Sequence, residues 1–171
     1  FGAKVVEGTE LNFPSQFRTK ETADLFLVLF VHLLRDGGRA GIVLPDGSLF
    51  GEGVKSKIKE QLLTECNLHT IVRLPPGVFN PYAGVNTNLL FFTKGEPTKE
   101  VWYYQMQLPQ GLRAYTKTKP ITDREFDVVK DWWGNRVENE NAWKVSIEDI
   151  KAKNWNLDFK NPRGGDVEEE L

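Results

Sequence analysis

Residues 1–18 carry Gly2, Gly8 and Pro14 among scattered charges, so no apolar period is established and the segment reads as a loop. The pattern changes from about Lys20 to Arg35. Thr19 or Thr22 can cap a helix there, Glu21 and Asp24 suit its positive end, and Gly37-Gly38 stops it. Its centre, Leu25 to Val31, is apolar without interruption, which predicts a helix buried on most sides. Arg39 to Leu44 follows as a strand. Its run Ala40-Gly41-Ile42-Val43-Leu44 is continuous rather than alternating, as in a strand covered on both faces, and Pro45-Asp46-Gly47 ends it in a turn.

A second helix is expected from about Gly53 to Thr64. Val54, Ile58, Leu62 and Leu63 share one face, and Lys55, Lys57 and Lys59 fall outside it as a solvated face or, less simply, as phosphate contacts. His69 to Leu74 is the next strand, broken by Pro75-Pro76, and Asn88 to Thr93 is a third. The prolines and glycines between these two leave no room for a crossover helix, so the third strand is expected to run antiparallel to its predecessor. Val101 to Gln107 is a fourth strand candidate. Residues 108–120 read as a polar loop. Thr122-Asp123-Arg124-Glu125 is a capping box that starts a helix reaching about Trp133, and Ser146 to Asp149 starts a short one.

This order predicts an α/β domain over residues 1–94, an α+β extension packing on it over 95–161, and a frayed tail over 162–171. The chain has 171 residues, 40% hydrophobic and 27% charged, enough to bury a core. Its net charge of −2 gives no global basic footprint, although a local basic face remains open. One cysteine, Cys66, excludes an internal disulfide. With only His32 and His69 beside it, a zinc cluster has no ligands. No apolar run is long enough for a membrane span and no signal peptide opens the chain, so the expected location is the cytoplasm. The first residue is Phe1 rather than Met, from which the chain is expected to be a piece of something longer.

Self-contained chemistry is hard to find. Pro45-Asp46-Gly47-Ser48 is not a nucleophile elbow, no phosphate or dinucleotide loop occurs, and Asp46, His32 and His69 lack metal-ligand spacing. His32, His69 and Trp132-Trp133 read as structural side chains.

Two stretches carry a resemblance. One joins Phe1-Gly2, Thr22-Ala23-Asp24-Leu25-Phe26 and Asp36 to Gly47. The other joins His69 to Phe79 with Gly84-Val85-Asn86-Thr87-Asn88-Leu89-Leu90-Phe91-Phe92. Together they resemble the later motifs of N6-adenine DNA methyltransferases, and most of all the methylation subunit of type I restriction-modification systems. Trp155-Asn156-Leu157-Asp158 is similar to a segment near the end of that subunit's catalytic region. The resemblance implies the carboxyl half of a Rossmann-like sheet, parallel strands with one antiparallel strand, in which the strands at 39–44, 69–74 and 88–93 are the fifth, sixth and seventh.

It further implies an enzyme that moves a methyl group from S-adenosylmethionine to adenine N6 in DNA, partnered by a specificity subunit and a restriction subunit, with no metal and no membrane. In the family an Asn-Pro-Pro-Phe motif holds the amine of a flipped-out adenine and stacks on its ring. Phe1 matches the aromatic of that motif. The Asn-Pro-Pro and the cofactor-binding residues would lie upstream, so the fragment alone is expected to be inactive. The loop between the sixth and seventh strands would border the target base, which places Asn80, Pro81, Tyr82, Asn86 and Thr87 there, although Tyr82 could instead pack and Gly84-Val85-Asn86 could be turn chemistry. Asp46 and Gly47 follow the fifth strand's carboxyl end, where open α/β sheets bind ligands. The alternative is a catalytically silent α/β assembly module that docks a partner subunit.

Overall fold

The computed structural model describes residues 2–164. Phe1 and residues 165–171, most of the tail expected to fray, lie outside the described residues. Helix α1 (Thr22–Leu33) leads into strand β1 (Arg39–Pro45), the single turn α2 (Asp46–Leu49), helix α3 (Val54–Glu65) and strand β2 (Cys66–Arg73). Strands β3 (Thr87–Lys94) and β4 (Glu100–Gln105), helix α4 (Asp127–Gly134), strand β5 (Ala142–Ser146) and helix α5 (Ile147–Ala152) complete the order.

One mixed sheet contains all five strands, in the order β1-β3-β2-β4-β5. β3 is antiparallel to both β1 and β2, so those two point the same way with β3 between them. The missing crossover helix has this consequence: only a strand that turns straight back can fill the gap. β4 pairs parallel with β2, and β5 antiparallel with β4, so the sheet runs on without a break past residue 95. β4 does not reach the start of β2. There the buried Thr98 hydroxyl accepts from the Leu68 amide at 2.9 Å and donates to the Cys66 carbonyl at 2.7 Å, replacing ladder bonds that would otherwise be lost.

α1 and α3 cover one face of the sheet. Leu27, Val28, Val31, Leu62, Leu63, Leu68, Ile71 and Phe92 form the main core with Tyr103 and Trp143. Each such side chain contributes about 1.5–3 kcal/mol on burial, so these contacts rather than helix propensity hold the lysine-rich α3 in place. The opposite face carries a second cluster, in which Val72, Tyr104 and Met106 meet Val129 and Trp132 of α4. The capping box is present, with a 3-10 turn over Asp123–Phe126 before α4.

Two expectations need correction, and one strand was not anticipated. α1 is not buried on most sides, because Phe26 and Leu33 on its outer side are 50% and 70% exposed. Lys59 does not belong to a solvated face: it is 1% exposed, tucked under the end of α2, and Lys55 pairs with the buried Asp24. β5, for which no element was expected, is a strand whose Ala142, Trp143 and Val145 are buried.

Candidate functional site

The carboxyl ends of β1 and β2 lie at the same edge of the sheet, on either side of β3, the place where open α/β sheets bind ligands. The wall begins at Asp46, the first residue of α2. Its amide donates to the Asn86 carbonyl at 3.0 Å, which ties the turn after β1 to the loop before β3. Its carboxylate accepts from Asn88 Nδ2 at 2.7 Å and from Arg73 at 3.4 Å. Arg73 also pairs with Asp158 at 2.8 Å and donates to the Phe159 carbonyl at 3.0 Å. The guanidinium fork suits this triple duty, since it offers several donors in fixed directions.

The far end of α2 is anchored as firmly. The Leu49 carbonyl accepts from Lys59 Nζ at 2.8 Å and from the Leu157 amide at 2.9 Å. Burial pushes the Lys59 ammonium down from 10.5 to about 8; neighbouring Lys55 adds to the shift, while Asp24 and Asp158 oppose it.

Two cavities flank Asp46 and Asn86. The first, about 350 Å³, is bounded by Gly2, Pro45, Gly47, Lys55 and Val85 as well. The second, about 320 Å³, lies toward Arg73, Asn88 and Gln105. Thus Asp46, Gly47 and Asn86 come together with Gly2, whose neighbour Phe1 is outside the described residues. The other candidates sit apart. Thr87 is buried in the sheet opposite Pro45. Asn80 donates to the Tyr115 carbonyl at 3.1 Å, Pro81 follows it through a cis peptide bond, and Tyr82 stands 88% exposed on the loop surface instead of packing. That loop requires a glycine at 77, where φ is +83° and a Cβ would sit 2.3 Å from the Tyr115 carbonyl oxygen.

Arg73 and Asn88 escaped the reading of candidate residues, and Lys59 entered it only as part of a solvated or phosphate-contacting face. A polar side chain inside an apolar strand run, as at Asn88, was the available signal. His69 stands where the β2–β3 register shifts between Leu68 and Thr70, and its ring meets Trp133 edge-on at 5.9 Å. Burial and the Arg136 charge hold its pKa below the usual value, in keeping with a structural role. Among the described residues no group of three or more His, Cys, Asp or Glu is placed to hold a metal, and no helix is long and apolar enough to cross a membrane.

The family model described as N-6 DNA Methylase matches residues 4–170. The chain is 60% identical to the type I restriction enzyme EcoEI methylase subunit of Escherichia coli, over 98% of this chain and 36% of that protein. Among solved structures, a modification subunit from Vibrio vulnificus YJ016 superposes with a TM-score of 0.89 at 47% identity, covering 96% of this chain and 37% of the other. A chain from work on complex assembly and conformational transition of the type I R-M system gives 0.88 at 37% identity, covering 98% and 37%. The chain therefore spans about a third of the relatives it matches.

Proposed function

The chain belongs to the N-6 DNA methylase family, and we propose that it forms the target-base side of an adenine-N6 DNA methyltransferase within a longer protein. The observation that carries this reading is the meeting of Gly2, Asp46-Gly47 and Asn86 around one cavity at the carboxyl end of β1. A flipped adenine placed there lies beside Gly2, and we assign stacking on the ring to Phe1, the residue before it in the sequence. The exocyclic amine is a poor nucleophile while its lone pair is conjugated, so holding it in line with the methyl donor is the main task, and a wall fixed at both ends suits it.

S-adenosylmethionine, the methyl donor we infer, supplies a methyl group on a positively charged sulfur. The residues around Asp46 do not form its cradle. Among the described residues the glycines bounding the first cavity are Gly2 and Gly47, which stand in separate segments rather than in one glycine-rich loop. Donor binding is assigned to other parts of the longer protein, and this chain's own residues bind, orient and shield the target. The partners we infer are DNA, a specificity subunit and a restriction subunit. The expected compartment is the cytoplasm.

The test is methyl transfer by the longer protein together with its specificity subunit, using labelled S-adenosylmethionine and DNA that contains the cognate site. Label should appear on adenine N6. Tyr82→Ala should leave the fold intact, because the ring is exposed, yet weaken DNA binding about ten-fold through one lost stacking contact. A stable complex that transfers no methyl group to cognate DNA overturns the proposal in favour of an assembly module.

A further inference from the structure

The second cavity lies beside Asp46, and Gly2 is not among its lining residues. Three features define its occupant. First, it contains an unmet hydrogen-bond need. Asn88 is fully buried in β3, and its Nδ2 faces two acceptors, Asp46 Oδ1 at 2.7 Å and the Leu44 carbonyl at 3.5 Å. Those acceptors fix which end is the nitrogen, and they leave the buried Oδ1 with no partner. A buried acceptor left unpaired costs about 1–3 kcal/mol, and Asn88 is one of the residues that line the cavity.

Second, the buried charge is committed. Arg73 is held by Asp46, Asp158 and the Phe159 carbonyl, while Lys160, 3.5 Å from Asp158, is exposed to solvent. Third, its remaining walls combine amides, Gln105 and Asn161 among them, with the apolar surfaces of Pro76 and Met106. Amides address the edge of a nucleobase, and flat apolar surfaces address its face. At about 320 Å³ the space lies at the small end of ligand pockets.

We propose that this cavity receives the base of the nucleotide next to the target adenine on the same strand, unstacked along with it. Resting on the function proposed above, this assigns a second subsite to the same face. The two cavities share Asp46 and Asn86 as their dividing wall, so occupants of both are one step apart, as consecutive nucleotides are.

The experiment places 2-aminopurine, which brightens when unstacked, at the target, at each neighbouring position, or opposite the target, in cognate duplexes bound by the longer protein with its specificity subunit. Brightening is expected at the target and at one neighbour. Leu108→Phe narrows the cavity from a loop position, and Gln107→Phe does so from an exposed one; each should abolish the neighbour's signal and weaken binding about ten-fold, the loss of one stacked base. A bright target with both neighbours dark overturns the subsite and leaves the methyltransferase reading standing. A bright opposite base with dark neighbours does the same, as does a neighbour that stays bright in both variants. A dark target with no methyl transfer overturns both proposals.

Discussion

Lys59 is a charge that the fold would be more stable without at neutral pH. Its folded pKa lies near 8 and its ordinary value is 10.5. For a base with a depressed pKa the charged form is penalised in the folded state. The penalty is fully present below the folded value and fades as pH rises through about 8 toward 10.5. At pH 7 the shift corresponds to about 3 kcal/mol, and at pH 10 to less than about 1 kcal/mol. Lys59→Met keeps most of the length of the side chain and removes the charge. It also removes one hydrogen bond, worth about 1 kcal/mol, but the Leu49 carbonyl keeps its bond from the Leu157 amide at 2.9 Å. The expected net gain at pH 7 is about 2 kcal/mol, shrinking to about zero at pH 10. Urea denaturation of both proteins at pH 7, 8, 9 and 10 measures it. Groups that titrate in both proteins, such as Cys66 with its thiol pushed up to about 11 by burial, cancel in the difference. A stability difference that stays constant across this range, or a methionine variant less stable at pH 7, would refute the reasoning.

Two further outcomes follow from the same geometry. Arg73→Met leaves Asp46 and Asp158 without their shared cation and should cost about 3 kcal/mol, read as a fall of about 6–12 °C in Tm; Arg73→Lys should recover less than half, because an ammonium cannot reach all three acceptors in fixed directions. Gly77→Ala should cost at least about 2 kcal/mol through strain at φ +83° and the clash with the Tyr115 backbone, and hydrogen exchange should show the Tyr115 amide, bonded to the Pro76 carbonyl at 3.0 Å, losing its protection.

The strands legible in the sequence were those with long apolar runs. Ala40 to Leu44 announces β1, and the prolines after Leu74 announce that β3 turns back rather than crossing over. β5 was not legible, because it is short and Lys144 splits its buried Trp143 and Val145. Lys59 was misread for a different reason. Its spacing from Lys55 describes one helix surface, but that surface includes the side overlain by Leu49, a contact that no periodicity contains. The candidate site divides in the same way. Asp46, Gly47 and Asn86 stand in turns at strand ends, and turn chemistry is local. Asn88 and Asp46 are 42 residues apart, and Arg73 and Asp46 27, so their bonds exist only once the sheet has formed.

The anchoring of the site is uneven, and the unevenness bears on how it would handle DNA. The turn Asp46–Leu49 is held at one end by β2, β3 and the loop before β3, and at the other by α3 and the segment at Leu157. Moving Asp46 therefore means breaking bonds to elements distributed over more than half the chain. The bonds of the loop at Phe79–Val85 include local turn bonds from Tyr82 and Ala83 to the Phe79 carbonyl and from Asn80 to Gly77, with the Asn80 contact to Tyr115. A base that must leave the duplex needs a surface able to follow the strand as it deforms, and then a wall that does not move while the amine is aligned. Tyr82, exposed on the loop surface, fits the first requirement, and Asp46 fits the second. Loosening the wall should therefore reduce the rate of methyl transfer by mispositioning the amine, whereas altering the loop should weaken DNA binding and leave the bound reaction largely intact.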